Sequence, residues 1–167
     1  MPCTAGIYIL YSCMQIFETN HLDDEQKEVI RIFWNKEYPV QLAYKTAADF
    51  DKYLGMLNNV RHYLLPGDDG TLEGWAFTFL RDDEKWFAII LDSKIHGQGK
   101  GTLLLNCLKE HESILNGWVI DHDGYQKQDG MPYLSPLRFY EKNDFVVCDH
   151  IRLETATLSA AKIVWRK

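Results

Sequence analysis

The stretch "KIHGQGKGTLLLNCLKE", residues 94–110, decides how the rest of the chain is read. Gly97, Gly99 and Gly101 alternate with Gln98 and Lys100. They lead into an amphipathic run in which Leu104, Cys107 and Leu108 recur at helical spacing. Ahead of them "WFAIILD", residues 86–92, is a nearly continuous apolar run, the pattern of a strand buried on both faces. A strand–loop–helix junction of this kind turns backbone N–H groups outward at the positive end of the helix dipole. Glycine keeps Cβ atoms out of the approach, so the loop suits an anion, and a pyrophosphate is the natural one. The other reading of the same glycines is a plain turn.

Two familiar phosphate motifs fail on inspection. A P-loop needs glycine, four residues, then Gly-Lys-Ser/Thr. Here Gly101 follows Gly99-Lys100, and Lys94 stands where the first glycine belongs. The dinucleotide fingerprint needs a third glycine where this chain has Thr102, and no βαβ unit opens at the N-terminus.

Outward from the loop, the periodicities alternate. Strand-like residues run from Ile7 to Phe17. A helix follows in "TNHLDDEQKEVIRIFWNKEYP", residues 19–39, with Thr19 or Asn20 as cap, an acidic first turn and Pro39 as stop. Leu22, Val29, Ile30 and Phe33 are expected to line its inner face. A second helix over residues 46–59 places Phe50, Tyr53, Leu54 and Leu57 on one side. The period then falls to two: "RHYLL" turns through "PGDDG" into "EGWAFTFL", where Trp75, Phe77 and Phe79 share a face. "RDDE" is the next tight turn, before the apolar strand. Beyond the glycine loop and its helix, which begins at about Gly101 or Thr102, "GWVID" is a strand. A polar stretch, residues 122–134, leads to the short helix "SPLRFYEKN", with Ser135 as N-cap and Pro136 as first helical residue. "FVVCDHIRLET" and "AKIVW" close the chain as an antiparallel pair. The order is β-α-α-β-β-β-α-β-α-β-β, with no repeat and no linker, in a single domain over residues 1–167.

Composition bounds the function classes. The chain has 167 residues, 46% hydrophobic and 25% charged, enough for a core without covalent staples. A net charge of −6 speaks against nucleic acid or an anionic membrane as a broad partner. Cys3, Cys13, Cys107 and Cys148 lack metal-ligand spacing and read as reduced thiols, so no metal is expected. "AGIYILYSCM" lacks a basic flank and a cleavage site and is too short to span a bilayer; a cytoplasmic location is the expectation.

"LDSKIHGQGKGTLLL" resembles the acetyl-CoA-binding motif of the GNAT superfamily of N-acetyltransferases, in which a central strand enters an arginine- or glutamine-led Gly-x-Gly loop and then a helix. Gly99 and Gly101 match the two glycines, and His96 stands where arginine or glutamine is usual. "SPLRFYEKNDF" resembles the family's last helix and the strand after it, with Phe139-Tyr140 as the aromatic-Tyr pair and Asp144-Phe145 for Gly-Phe. Tyr133 stands where the family usually has asparagine. The resemblance spans essentially the whole chain. It implies a mixed, mostly antiparallel central sheet of six to seven strands flanked by about four helices.

For function, it implies transfer of the acetyl group of acetyl-CoA to a primary amine by direct attack, on a small molecule or a protein. Ile89, Ile90 and Leu91 would offer backbone to the pantetheine arm. His96, Gly97, Gln98, Gly99, Lys100, Gly101 and Thr102 would hold the diphosphate, and Ser135 would be a further polar contact or only a cap. Tyr140 is the expected general acid for the departing thiolate. For the base, Asp121 or His122 at the end of "GWVID" are the candidates, since "WFAIIL" carries no ionisable group. Arg138 and Lys142 read as a solvated face. A homodimer is possible. The other reading is a GNAT-like module that binds acyl-CoA without catalysis.

Overall fold

A computed structural model describes residues 16–167. The expected strand from Ile7 lies outside these residues up to its end, as do Cys3 and Cys13. The described chain runs β1 (Phe17–Thr19), α1 (Asp24–Glu37), α2 (Ala47–Gly55), β2 (Asn58–Pro66), β3 (Leu72–Arg81), β4 (Glu84–Leu91), α3 (Lys100–His111), β5 (Ile114–Val119), β6 (Tyr125–Gln126), β7 (Pro132–Tyr133), α4 (Leu137–Lys142), β8 (Val146–Glu154) and β9 (Ser159–Arg166). From α1 onward the order expected from periodicity holds. The addition is the small β6–β7 hairpin, which forms inside the polar stretch after β5.

Seven strands make one sheet in the order β1-β2-β3-β4-β5-β9-β8. Every neighbouring pair is antiparallel except β4 and β5, which run parallel. The sheet separates two cores. On one face, α1 and α2 bring Ile30, Phe33, Trp34 and Phe50 against Leu64, Trp75, Phe77, Phe79, Trp86 and Ile90. On the other, α3 and α4 bring Leu104, Leu105, Leu108 and Tyr140 against Tyr63, Leu65, Phe87 and Ile89. The alternation of β4 between these lists is the two-sided burial that its apolar run requires. Among the described residues the fold is therefore mixed α/β, with a seven-stranded, mostly antiparallel sheet and four α-helices.

Local differences from the expectations have simple causes. α1 is capped by Asp23 rather than by Thr19 or Asn20: its carboxylate accepts from Gln26 N while the Gln26 side chain returns to the Asp23 N–H, a reciprocal capping box. The buried stripe runs through Ile30, Phe33, Trp34 and Glu37, so Trp34 belongs to it and Val29, one step round the helix, is exposed. α3 starts at Lys100 with Gly99 as cap. In α4 the cap position belongs to Pro136, although the Ser135 hydroxyl still accepts from Leu137 N at 3.3 Å.

Candidate active site

The parallel pair β4 and β5 shares a single ladder position, Trp86 opposite Asn116. Asn116 is buried, and its Nδ2 donates to Lys85 O at 3.0 Å, which pins the strands at that point. Trp86 and Trp118 pack on the α1 face of the junction with ring centroids 5.2 Å apart. On the other face Gly117 makes room for Phe87, since a Cβ there would lie 2.7 Å from the Phe87 ring. Past this point the two strands diverge. Among the described residues, Ile89, Ile90 and Leu91 take ladder partners from β3 and none from β5. A sheet thus forks open at its centre, with backbone of β4 bordering the gap.

The glycine loop closes the wide end of the fork. Asp92 N–H donates to Glu73 O at 2.8 Å, and a 3₁₀ turn over Ser93–Ile95 carries the chain to the glycines. Gly97 and Gly99 have φ of 75° and 77°, and a Cβ on either would meet nothing within 4 Å. These two are needed for left-handed backbone and open onto free space. Gly101 has another task. A Cβ there would sit 2.6 Å from Leu91 Cδ1 and 2.9 Å from Phe139 Cζ, so it lets α3 close on β4 and α4.

The loop's side chains fold back onto the chain. His96 Nε2 lies 3.3 Å from Leu91 O, Gln98 Nε2 donates to Lys94 O at 3.3 Å, and Lys100 Nζ donates to Glu73 Oε2 at 2.7 Å. Gly99 O accepts from Leu103 N at 3.1 Å, whereas the N–H groups of Lys100, Gly101 and Thr102, in the first turn, have no acceptor within the helix.

Tyr140 reaches the fork from α4. The helix ends in a Schellman turn: Phe145 N donates to Tyr140 O at 3.1 Å and Asp144 N to Glu141 O at 3.2 Å. Asp144 takes the left-handed position with φ of 65°, so the turn survives without glycine. Phe145 packs on Tyr140 with ring centroids 5.5 Å apart, and Phe87 from β4 approaches it edge-on at 5.8 Å. Burial pushes the Tyr140 hydroxyl far above the usual tyrosine range, so it keeps its proton at neutral pH.

Two more tyrosines converge there. Tyr38, next after α1, has its ring centroid 6.4 Å from that of Tyr133 on β7. Burial raises both hydroxyls strongly, and Tyr133 and Tyr140 add to the effect on Tyr38. Tyr38 packs with the core on one face of the sheet and Tyr140 with the core on the other.

Asp121 and His122 stand at the end of β5 as expected, but both are engaged. Arg152 grips Asp121 bidentately, NH1 to Oδ2 at 2.8 Å and NH2 to Oδ1 at 3.1 Å, and holds its carboxyl below the usual range. His122 Nδ1 accepts from Gly124 N at 3.0 Å, and its ring stands edge-on to Tyr125 at 4.5 Å. The Ser135 hydroxyl donates to Ile120 O at 2.6 Å, tying β5 to the start of α4. Arg138 and Lys142 are exposed, as a solvated face requires.

One charged group was missed by reading the sequence. Glu37 is buried at the end of α1, its Oε2 accepting from Lys127 Nζ at 3.0 Å. Lys36 Nζ lies 3.3 Å from Glu37 Oε1 and 2.8 Å from Asp92 Oδ2, which joins the group to the end of β4. A signal was present: with Ile30, Phe33 and Trp34, Glu37 completes an i, i+3, i+4, i+7 stripe, so a carboxylate stands on an apolar face. Its partner, on another element, has no local signature.

No family model matches the sequence, and no curated protein matches it either. Solved structures do. An aminoglycoside 6′-N-acetyltransferase complexed with coenzyme A superposes with a TM-score of 0.66 at 13% identity, over 90% of this chain and 96% of that one. A GNAT superfamily phosphinothricin acetyltransferase from Sinorhizobium meliloti, in complex with AcCoA, gives 0.62 at 12% identity, over 92% and 89%. A spermidine/spermine N-acetyltransferase from Vibrio cholerae gives 0.58 at 13%, over 93% and 94%. The fold is that of the GNAT superfamily.

Proposed function

We propose that the protein is an N-acetyltransferase that moves the acetyl group of acetyl-CoA to a primary amine. The observation that carries this reading is the fork between β4 and β5 with the glycine loop at its wide end. The fit is specific in two respects. Backbone at Ile89, Ile90 and Leu91 borders the gap like an unpaired sheet edge, which suits the amide-bearing pantetheine arm. Gly97 and Gly99 are left-handed and leave open space where a Cβ would stand, and the first turn of α3 has N–H groups without intrahelical acceptors, which suits a diphosphate. His96, Gln98, Lys100 and Thr102 surround it, and the three side chains that fold back hold it by exchanging their present partners. The Ser135 hydroxyl is committed to Ile120 O, so its contribution is to position α4.

Acetyl-CoA supplies an acetyl thioester, an electrophile that an amine attacks without an acyl-enzyme. The chain's part is to orient and to move protons. The amine attacks in its neutral form and the C–S bond breaks. Tyr140, protonated at neutral pH and fixed by Phe87 and Phe145, donates its proton to the leaving sulfur. The proton lost by the nitrogen passes through water and restores the tyrosine. An N–H near Leu91 serves the carbonyl oxygen. Asp121 is a poor base, because Arg152 stabilises its charged form, and the Nδ1 lone pair of His122 already accepts from Gly124. Both are read as groups that shape the end of β5 rather than as catalysts.

The test is release of free CoA thiol with a broad panel of amines. Turnover is expected with at least one of them. Tyr140→Phe is expected to lower kcat by about 100-fold or more while acetyl-CoA affinity stays within about twofold. Unchanged kcat would remove Tyr140 from its role. Tight acetyl-CoA binding with no turnover on any amine would replace the enzyme by a non-catalytic acyl-CoA-binding module.

A further inference from the structure

Glu37 is a carboxylate in an unusual position. Its side chain is 4% exposed, and a buried carboxylate is costly unless it is paired. The partner that reaches Oε2 is Lys127, from the far end of the β6–β7 hairpin, and that lysine is itself only 15% exposed. The other oxygen, Oε1, is buried and has no hydrogen bond, although Lys36 Nζ stands 3.3 Å away as an ion pair. Lys36 is engaged more closely by Asp92, at 2.8 Å. Glu37 is thus a buried carboxylate faced by two primary ammoniums, Lys127 at Oε2 and, less closely, Lys36 at Oε1.

Its place in the molecule gives this meaning. Asp92 is the first residue beyond β4, so Lys36 anchors Glu37 at the wide end of the fork. Tyr38, the next residue, meets Tyr133, which like Lys127 belongs to the hairpin. Lys127 and Tyr133 thus bring the hairpin down over Glu37 and Tyr38 together. Elsewhere on the hairpin, Tyr125 lines a separate cavity of about 300 Å3 together with Gln41 and the Thr155–Ser159 turn. The hairpin's hold on α1 is a displaceable ion pair and a pair of rings rather than a ladder of backbone bonds.

We propose that Glu37 is the subsite for a primary alkylammonium, and that in the free protein the chain's own Lys127 occupies it. An incoming ammonium takes over the Glu37 carboxylate, and Lys127 withdraws with the hairpin into solvent. That this amine is the acetyl acceptor rests on the N-acetyltransferase reading. The subsite itself does not depend on turnover.

The test uses the full chain labelled with 13C at lysine Cε, with the Lys127 signal assigned by its loss in Lys127→Met. The probe is n-butylammonium chloride, with tetramethylammonium chloride as a cation that has no N–H to donate. A saturable shift of the Lys127 signal with butylammonium, without one for tetramethylammonium, is expected, and Glu37→Gln should abolish it. Lys127→Met, followed through the Tyr38 amide, should bind butylammonium about tenfold more tightly, since no internal ammonium competes. It also covers the case in which Glu37→Gln fails to fold. A Lys127 signal unmoved by butylammonium, or an unchanged affinity in Lys127→Met, would overturn the proposal. Displacement of Lys127 in a protein that acetylates no amine would leave the subsite standing and remove only the enzymatic reading.

Discussion

His62, on β2, shows how one side chain sets a condition on the whole fold. Its Nδ1 accepts from the Trp75 indole at 3.3 Å, and the two rings stack with centroids 5.9 Å apart. Burial, with His21 adding to it, lowers its pKa from the model-compound value of 6.5 to about 4. The unfolded chain therefore binds a proton that the folded chain refuses between those two values. Stability from this group is whole above pH 6.5 and falls as pH drops toward 4. The full loss is on the order of 3 kcal/mol. Urea unfolding across that range should show the decline, and His62→Leu should flatten it; an equal decline in the variant would assign it to other groups. For the buried ion pair of Glu37 with Lys127, deleting either partner leaves the other's charge uncompensated, which is the costly change there.

At the scale of elements, the decisive feature is the junction of β4 and β5, held by Asn116 and then released. Gly117 is part of that device. Its missing side chain leaves room for Phe87, and Phe87 in turn supports Tyr140. Gly117→Val overfills the junction, which is expected to lower stability by about 1–3 kcal/mol and to shift Tyr140. A melting curve checks the first, and a fall in kcat larger than any change in acetyl-CoA affinity checks the second. A variant as stable and as active as the parent would mean that Phe87 has slack that the packing does not reveal. The Schellman turn after α4 is the complementary device, with Asp144 accepting the left-handed position that fixes Phe145 on Tyr140.

For the whole molecule, order and sidedness were legible because they depend on local period. The alternation in "EGWAFTFL" puts Trp75, Phe77 and Phe79 on one face as expected, although Ala76 and Thr78 are buried on the other, and the unbroken "WFAIIL" is the two-sided strand it describes. The strand–glycine–helix order was equally plain, although the glycines divide into two left-handed residues and one close-packed residue, which spacing does not distinguish. Capping was misjudged where reciprocal side-chain bonds choose the start, Asp23 and Gln26 outcompeting Thr19; Val29 was misplaced separately, because the apolar stripe runs through Ile30, Phe33 and Trp34.

The fork itself, the meeting of Tyr38, Tyr133 and Tyr140, and the pairing of Glu37 with Lys127 were not legible. Each joins elements far apart in the chain, and only the sheet order β4-β5-β9 and the folding of the hairpin over α1 bring them together. Asp121 and His122 were found at the right strand end, but Arg152 and Gly124, which engage them, carry no sequence signal.

The central claim is that one molecule of acetyl-CoA lies along β4 in the fork with its diphosphate over the glycine loop. Amide hydrogen exchange with and without saturating acetyl-CoA tests both the binding and its place. The account predicts slower exchange at residues 88–102, covering the open edge of β4 and the first turn of α3, with little change in β1, β2 and β8. No protection at those residues, or protection confined to another part of the sheet, would contradict it.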